Sequence, residues 1–428
     1  MKNIEVPALA RVEGEGALYI RLKDGSIAEV ELNIYEPPRF FEGFLQDRYF
    51  QEVPDITARI CGICPVAYQM SSVQALESAL GVAISKETRG LRRLLYCAEY
   101  IESHALHIYM LQAPDLLGHE SALTLAEVAP EIVKDALRLK KVGNDLLKAI
   151  GGRSVHPVNT CVGGFYRWPD LKTIKDLLPE MKWALQASLQ TVKFAAGLKF
   201  PDFEMDYEFV ALTRPDEYAI YDGDILSSKG SRIAVDTFES DYIETHVRHS
   251  NALHSHTAAD QTTYFVGPMA RLNLNYEQLR PIARNAADEA GLQLPLRNPF
   301  KNLLARAIEL VEVCDVAIEL IDEYAPKGPS CAPLTLKDGQ GSGASEAPRG
   351  LLYHRYIIDN QGMVRFAKIT PPTAQNFAQM EADLWKFAPS VLDLSHEEAT
   401  LACEHLVRSY DPCISCATHF LKMTVDRT

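Results

Sequence analysis

The chain has 428 residues, with 43 basic side chains against 57 acidic ones, a formal net charge of −14 and a pI near 5.4. Such acidity disfavours a surface for nucleic acid or an anionic membrane. The longest uncharged stretch, Ile60 to Leu76, is broken by Gln69, Ser71, Ser72 and Gln74, and Met1 to Pro7 has no apolar signal core, so neither a membrane span nor an export signal is expected.

At 47% hydrophobic content the chain can bury a large core. Glycine and proline are scattered and no repeat or linker stands out, so the expectation is one domain over 1–428 of mainly α (α+β) class, a helical body with small peripheral β-hairpins. Nine cysteines, an odd count in a long chain, speak against a disulfide framework and for a reducing cytoplasm.

Residues 17–22 and 27–35 alternate apolar and polar around Lys23-Asp24-Gly25-Ser26, which predicts a hairpin just after Arg11-Val12-Glu13-Gly14. After Pro65 the period changes. Val66, Met70, Val73, Leu76 and Leu80 fall at helical spacing, which puts Cys64 at a helix N-terminus, where the dipole and free amides favour a thiolate. Further helices are predicted at about 86–117, 126–150, 170–198, 276–291 and 298–324, and Ala325 to Arg349 is the richest turn region. A second hairpin joins Leu351–Ile358 to Met363–Ile369. The last helix opens at the capping box Ser395-x-x-Glu398 and must stop near Tyr410, because Pro412 disfavours helical geometry at Asp411, so Cys413 sits on a turn beyond it.

Cys97, Cys161, Cys314, Cys331 and Cys403 are isolated in sequence and read as small buried hydrophobes. His246, His249, His254 and His256 lack an evident acidic partner and read as a polar or interface helix. His104 and His107 share a helical face and read as hydrogen-bonded near the core.

The chemistry concentrates in two Cys-x-x-Cys pairs at opposite ends, Arg59-Ile60-Cys61-Gly62-Ile63-Cys64-Pro65 and Asp411-Pro412-Cys413-Ile414-Ser415-Cys416-Ala417-Thr418-His419. One pair alone also serves redox disulfides and half zinc sites. Four soft thiolates around one ion suit a closed zinc site or a nickel-iron core, and spacing does not separate the two. The flanks do, because structural zinc sites occur in small local units whereas these pairs bracket nearly the whole chain.

With these flanks the sequence resembles the nickel-iron hydrogenase large subunit, from about residue 11 to 419. The resemblance implies that fold and a nickel-iron centre with carbon monoxide and cyanide on the iron. In it Cys61 and Cys413 would bind nickel terminally, while Cys64 and Cys416 would bridge the metals. It implies heterolytic cleavage of hydrogen, with Cys413 as first proton acceptor and Glu13 as next carrier. Arg349, in Glu346-Ala347-Pro348-Arg349-Gly350, and Thr373, in Pro371-Pro372-Thr373-Ala374-Gln375-Asn376, would contact cyanide. Glu42, the carbonyl of Ile369 and His419 would hold a magnesium ion.

His156 and Gly267-Pro268-Met269-Ala270-Arg271 also match family segments. One departure is Tyr68, where many members carry histidine. No further clustered cysteines remain for an electron relay, so the resemblance implies an iron–sulfur small subunit. The branch most similar, the cytoplasmic NAD(P)-linked, sulfhydrogenase-like one, adds flavin and iron–sulfur diaphorase subunits. It also implies a maturation protease that removes 420–428 once nickel is in place. The rivals are a non-catalytic protein with a four-cysteine zinc, and the respiratory complex I relative, which shares the fold but lacks the four cysteines.

Overall fold

The computed structural model describes residues 3–24, 26–119 and 121–419. The expected removal of 420–428 lies outside the described residues. The first hairpin forms between Gly16–Lys23 and Ser26–Ile34 and gains a third antiparallel strand, Ile4–Val6. Its alternation buries Leu18, Ile20, Leu32 and Ile34.

The helical body is as expected for its class, with boundaries set by proline. Lys86–Leu106 packs on Pro130–Gly151 and on Asn302–Glu323, which in turn packs on Leu178–Ala196. The stretch predicted at 126–150 splits into Ala122–Val128 and Pro130–Gly151, that at 170–198 into Leu171–Lys175 and Leu178–Ala196, and that at 276–291 begins its α-helix only at Pro281. Pro130, Pro179 and Pro281 each sit in a first helical turn, where a missing N–H costs nothing. The helix predicted through 117 passes into a π-helical turn, His107–Gln112, before Ala113–Leu116. Such turns recur at functional sites.

Helix Pro65–Leu80 is buried on nearly every side and lies against a three-stranded antiparallel sheet, Gly339–Ala347, Gly350–Ile358 and Val364–Thr370. The last two strands are the predicted second hairpin. The first was read only as turn-rich, because Gly339, Gly341 and Gly343 look like turn residues. They serve close approach instead. A Cβ at Gly341 would stand 2.2 Å from the Ala75 carbonyl oxygen, so only glycine lets this strand lie on the helix.

The histidine-rich segment is not a helix. Tyr242–Thr245 and His254–Thr257 form an antiparallel pair, in keeping with the β-branched and aromatic residues among them. The final helix runs His396–Ser409 with both arms of its capping box made. Asp411 then turns the chain with φ 57°, before Cys413. Among the described residues no helix is long and apolar enough to cross a membrane.

Candidate metal centre

The fold brings the two ends of the chain together. The Sγ atoms of Cys61, Cys64, Cys413 and Cys416 all lie within 4.8 Å of one another, and all four residues are buried. Cys61 follows a 3-10 turn in extended conformation, and Cys64 is the residue before helix Pro65–Leu80. Amides of Ile63 and Cys64 donate to Cys61 Sγ at 3.3 and 3.2 Å. Two N–H groups opening that helix, those of Val66 and Ala67, donate to the buried Glu99 carboxyl at 2.7 and 3.2 Å.

Cys413 precedes the short helix Ile414–Ala417, which carries Cys416. Ile414 N–H donates to the Glu13 carbonyl at 2.9 Å, and Cys413 N–H donates to the Thr373 hydroxyl oxygen at 3.0 Å. Thr373 thus holds the backbone of Cys413. The Arg39 guanidinium donates to the carbonyl of Ile60 at 2.7 Å and to that of Ser415, and so ties the peptide before Cys61 to the one before Cys416.

Sulfur 61 stands 3.6 Å from sulfur 413. Burial, then hydrogen bonds with the other three thiols, pushes Cys413 well above its ordinary value, and burial likewise raises Cys416. Burial also resists ionisation of Cys61, but the Cys413 thiol and the charge of Arg349 bring it well below its usual range. Four thiols here cannot all ionise against one arginine, so a bound cation is what would make four thiolates compatible with this interior. The donors are soft, and they fit nickel and iron as well as they fit zinc.

Beside them Arg349 is clamped from behind. Its Nε donates to the Asp411 carbonyl at 2.7 Å and its Nη2 to the Asp411 carboxylate at 2.9 Å, while the buried Nη1 has no partner among the described residues. Burial opposes the charge, yet Asp411 and the cysteines hold the guanidinium well above its ordinary value. Arg306, also buried, lies 3.6 Å from the other oxygen of Asp411. Glu13 is only partly buried and places Oε2 3.0 Å from Cys413 Sγ and 3.1 Å from the Ser415 amide.

Glu42, Ile369 and His419 meet in a second cluster. Glu42 Oε1 accepts the Ile369 N–H at 2.8 Å and lies 3.8 Å from His419 Nε2, which is 2.8 Å from the Ile369 carbonyl oxygen. His419 Nδ1 meets the Cys416 carbonyl, which joins this cluster to the thiols. Burial raises the Glu42 carboxyl, and His419 opposes the rise. Two oxygens and an imidazole offer a set that a hard cation completed by water can use.

His156 Nε2 lies 3.2 Å from the Cys61 carbonyl. The Tyr68 hydroxyl is buried without a hydrogen-bond partner among the described residues, and burial with the surrounding thiols holds the phenol neutral. His104 and His107 bond to Glu309 and to the Arg408 carbonyl. Of the isolated cysteines, Cys97, Cys161, Cys314 and Cys403 are buried as expected, but Cys331 is partly exposed, 3.7 Å from Cys161. Sequence reasoning missed Arg39, Glu99 and Arg306. Arg39 stands three residues before Glu42, and nothing local shows that it reaches both cysteine segments.

The sequence matches the family described as nickel-dependent hydrogenase over residues 39–168 and 228–419. It is 35% identical to sulfhydrogenase 1 subunit alpha of Pyrococcus furiosus, over 99% of this chain and 100% of that one. It is 27% identical to the NAD-reducing hydrogenase HoxS subunit beta of Cupriavidus necator, over 98% of this chain and 95% of that one. The solved structure of an NAD+-reducing [NiFe]-hydrogenase in the H2-reduced state superposes with a TM-score of 0.87 at 24% identity, covering 98% and 100% of the two chains, a likeness of fold. With the four thiols converged in that fold and the match spanning both cysteine pairs, the chain belongs to the nickel-dependent hydrogenase family.

Proposed function

We propose that this chain is the catalytic large subunit of a nickel-iron hydrogenase that cleaves H2 reversibly into protons and electrons. The observation that carries this is the convergence of four buried thiols with one carboxyl and one guanidinium at their edge. Cys61, Cys64, Cys413 and Cys416 would hold the metals. When bound, a nickel-iron pair with carbon monoxide and cyanide on the iron supplies the centre for heterolytic cleavage of hydrogen.

The chain's own residues do the rest. Cys413 Sγ takes up the proton, and Glu13, at 3.0 Å and partly exposed, carries it from the buried thiol toward the outside. Arg349 Nη1, on a guanidinium pinned by Asp411 and with no partner among the described residues, is a preorganised donor for an anionic diatomic ligand or for developing charge. Thr373 keeps Cys413 in place, and its hydroxyl hydrogen remains available to a cyanide. Glu42, the Ile369 carbonyl and His419 would hold a magnesium ion that fixes the C-terminal segment.

Electrons would leave through an iron–sulfur small subunit to flavin and iron–sulfur diaphorase subunits and NAD(P), in a cytoplasmic heteromultimer; the names of the relatives support that branch. The whole of 1–428 would work as one domain until a protease removes 420–428, and the active chain would have the intact mass of one ending at His419.

The deciding experiment is metal analysis with infrared spectroscopy of the purified protein. Nickel and iron together, with bands of iron-bound carbon monoxide and cyanide, are expected. Zinc alone would refute the reading.

A further inference from the structure

The histidine-rich segment acquires in three dimensions the acidic partner that its sequence lacks. Glu381, two turns along helix Pro372–Phe387, faces His249 of the 246–253 connection and His254 of strand His254–Thr257. One donor atom from each lies within 4.8 Å of the others. We propose that His249, His254 and Glu381 form a binding site for a divalent transition-metal ion of zinc's kind, separate from the thiol centre.

The donors are already oriented. Glu381 Oε1 accepts the Leu32 N–H at 2.8 Å and His249 Nε2–H at 2.7 Å, which fixes the carboxylate and leaves Oε2 turned to His254. The His254 ring stacks on Phe377, one helical turn before Glu381, with centroids 5.9 Å apart. It also meets the His249 ring edge to face at 5.6 Å. Two neighbouring histidines and a carboxylate more than a hundred positions further on therefore bring imidazole, imidazole and carboxylate together.

His254 presents its Nδ1 to that carboxylate without a hydrogen bond to it. The residue is only 2% exposed, and Nδ1 stands 3.7 Å from Glu381 Oε2. That is too long for a hydrogen bond. Ligands about 2.0–2.1 Å from a tetrahedral zinc ion stand about 3.3 Å apart, so a small ion between Nδ1 and Oε2 needs only a slight contraction. His249 would exchange its hydrogen bond for a bond to the same ion.

Two imidazoles select zinc, cobalt, nickel or iron over magnesium or calcium. The side chains of His249 and Glu381 are 20% and 18% exposed, so the ion has a way in and a water can complete its shell. Its role would be structural. It would clamp the 246–253 connection to strand Ser26–Ile34 and to the helix whose first turn holds Cys413 through Thr373.

The test is equilibrium dialysis of the nickel-loaded holoenzyme against Zn2+, with metals counted per chain, on the wild type and on His249→Gln and Glu381→Gln. The wild type should take up one ion beyond those at the cysteines and at the Glu42–Ile369–His419 cluster, and each variant should bind it at least about 100-fold more weakly, more than loss of an outer-shell partner costs. Nickel content and turnover should stay unchanged in both. Co2+ in place of Zn2+ should give ligand-field bands in the wild-type-minus-variant spectrum without a thiolate charge-transfer band. Equal zinc stoichiometry in wild type and variants would overturn the proposal, as would a thiolate band on the extra ion. The wild-type count and spectrum decide even if a variant fails to fold.

Discussion

Cys61 and Cys64 are presented by local secondary structure, whereas Cys413 and Cys416 are presented by groups from the far end of the chain. The first pair sits at the mouth of a 16-residue buried helix whose opening amides are capped by Glu99. The second sits on a four-residue helix that could not persist alone. It is held by Glu13 and Arg39, which reach residues 400 and 376 positions away. The difference lies in what supports each pair: one half of the site rests on its own buried helix, and the other depends on contacts with residues distant in sequence.

The hardest break removes a ligand from either half. Cys64→Ser and Cys416→Ser should each reduce hydrogen turnover to background with loss of bound nickel, because a neutral hydroxyl is a poor ligand for soft metals. Retained activity in either would remove that half from the site. Glu13→Gln comes next. It should lower turnover by about 10²–10⁴-fold and block hydrogen–deuterium exchange with solvent, while nickel content and the infrared bands persist. Exchange at the wild-type rate would mean that another group carries the proton.

What was legible in the sequence follows the same division. Helix starts and hairpins announce themselves locally, through proline in the first turn at 65 and the capping box at Ser395, whereas the helices starting at Pro130 and Pro281 were placed a few residues too early. The Gly339-Gln340-Gly341-Ser342-Gly343 strand did not, because its glycines answer to the backbone of helix Pro65–Leu80, which no local pattern contains. The histidines were misread as helical, and their acidic partner Glu381 lies more than a hundred positions away. That the cysteine pairs belong together came from motif resemblance, since spacing alone says nothing about contacts between residues 61 and 413. Arg39 and Glu99 act only through tertiary contacts and left no local trace.

Arg349→Lys tests the wall between the halves. Lysine lacks the planar fork that clamps Asp411 at two points while holding a further N–H in a fixed direction, so turnover should fall about 10²–10³-fold with the fold intact. Undiminished turnover would leave Arg349 a purely structural ion pair with Asp411.

The smallest effects discriminate best between the two modes of construction. Arg39→Gln removes a charged donor shared by both cysteine segments, with a stability cost of about 1.5–3 kcal/mol. Because that tie is what seats the C-terminal pair, nickel content under limiting nickel should fall along with the melting temperature. Glu99→Gln instead weakens the cap of the N-terminal pair. One amide oxygen can still accept, but the NH2 group must face the other backbone N–H, for a cost of about 1 kcal/mol. Helix Pro65–Leu80 is held by its burial against the sheet as well as by its cap, so Cys61 and Cys64 should stay in place. The expected result is a lowered melting temperature with full nickel content, the reverse of the emphasis in Arg39→Gln. Equal nickel loss at equal destabilisation in both variants would show that the site senses only global stability, and that the contrast between the two halves is false.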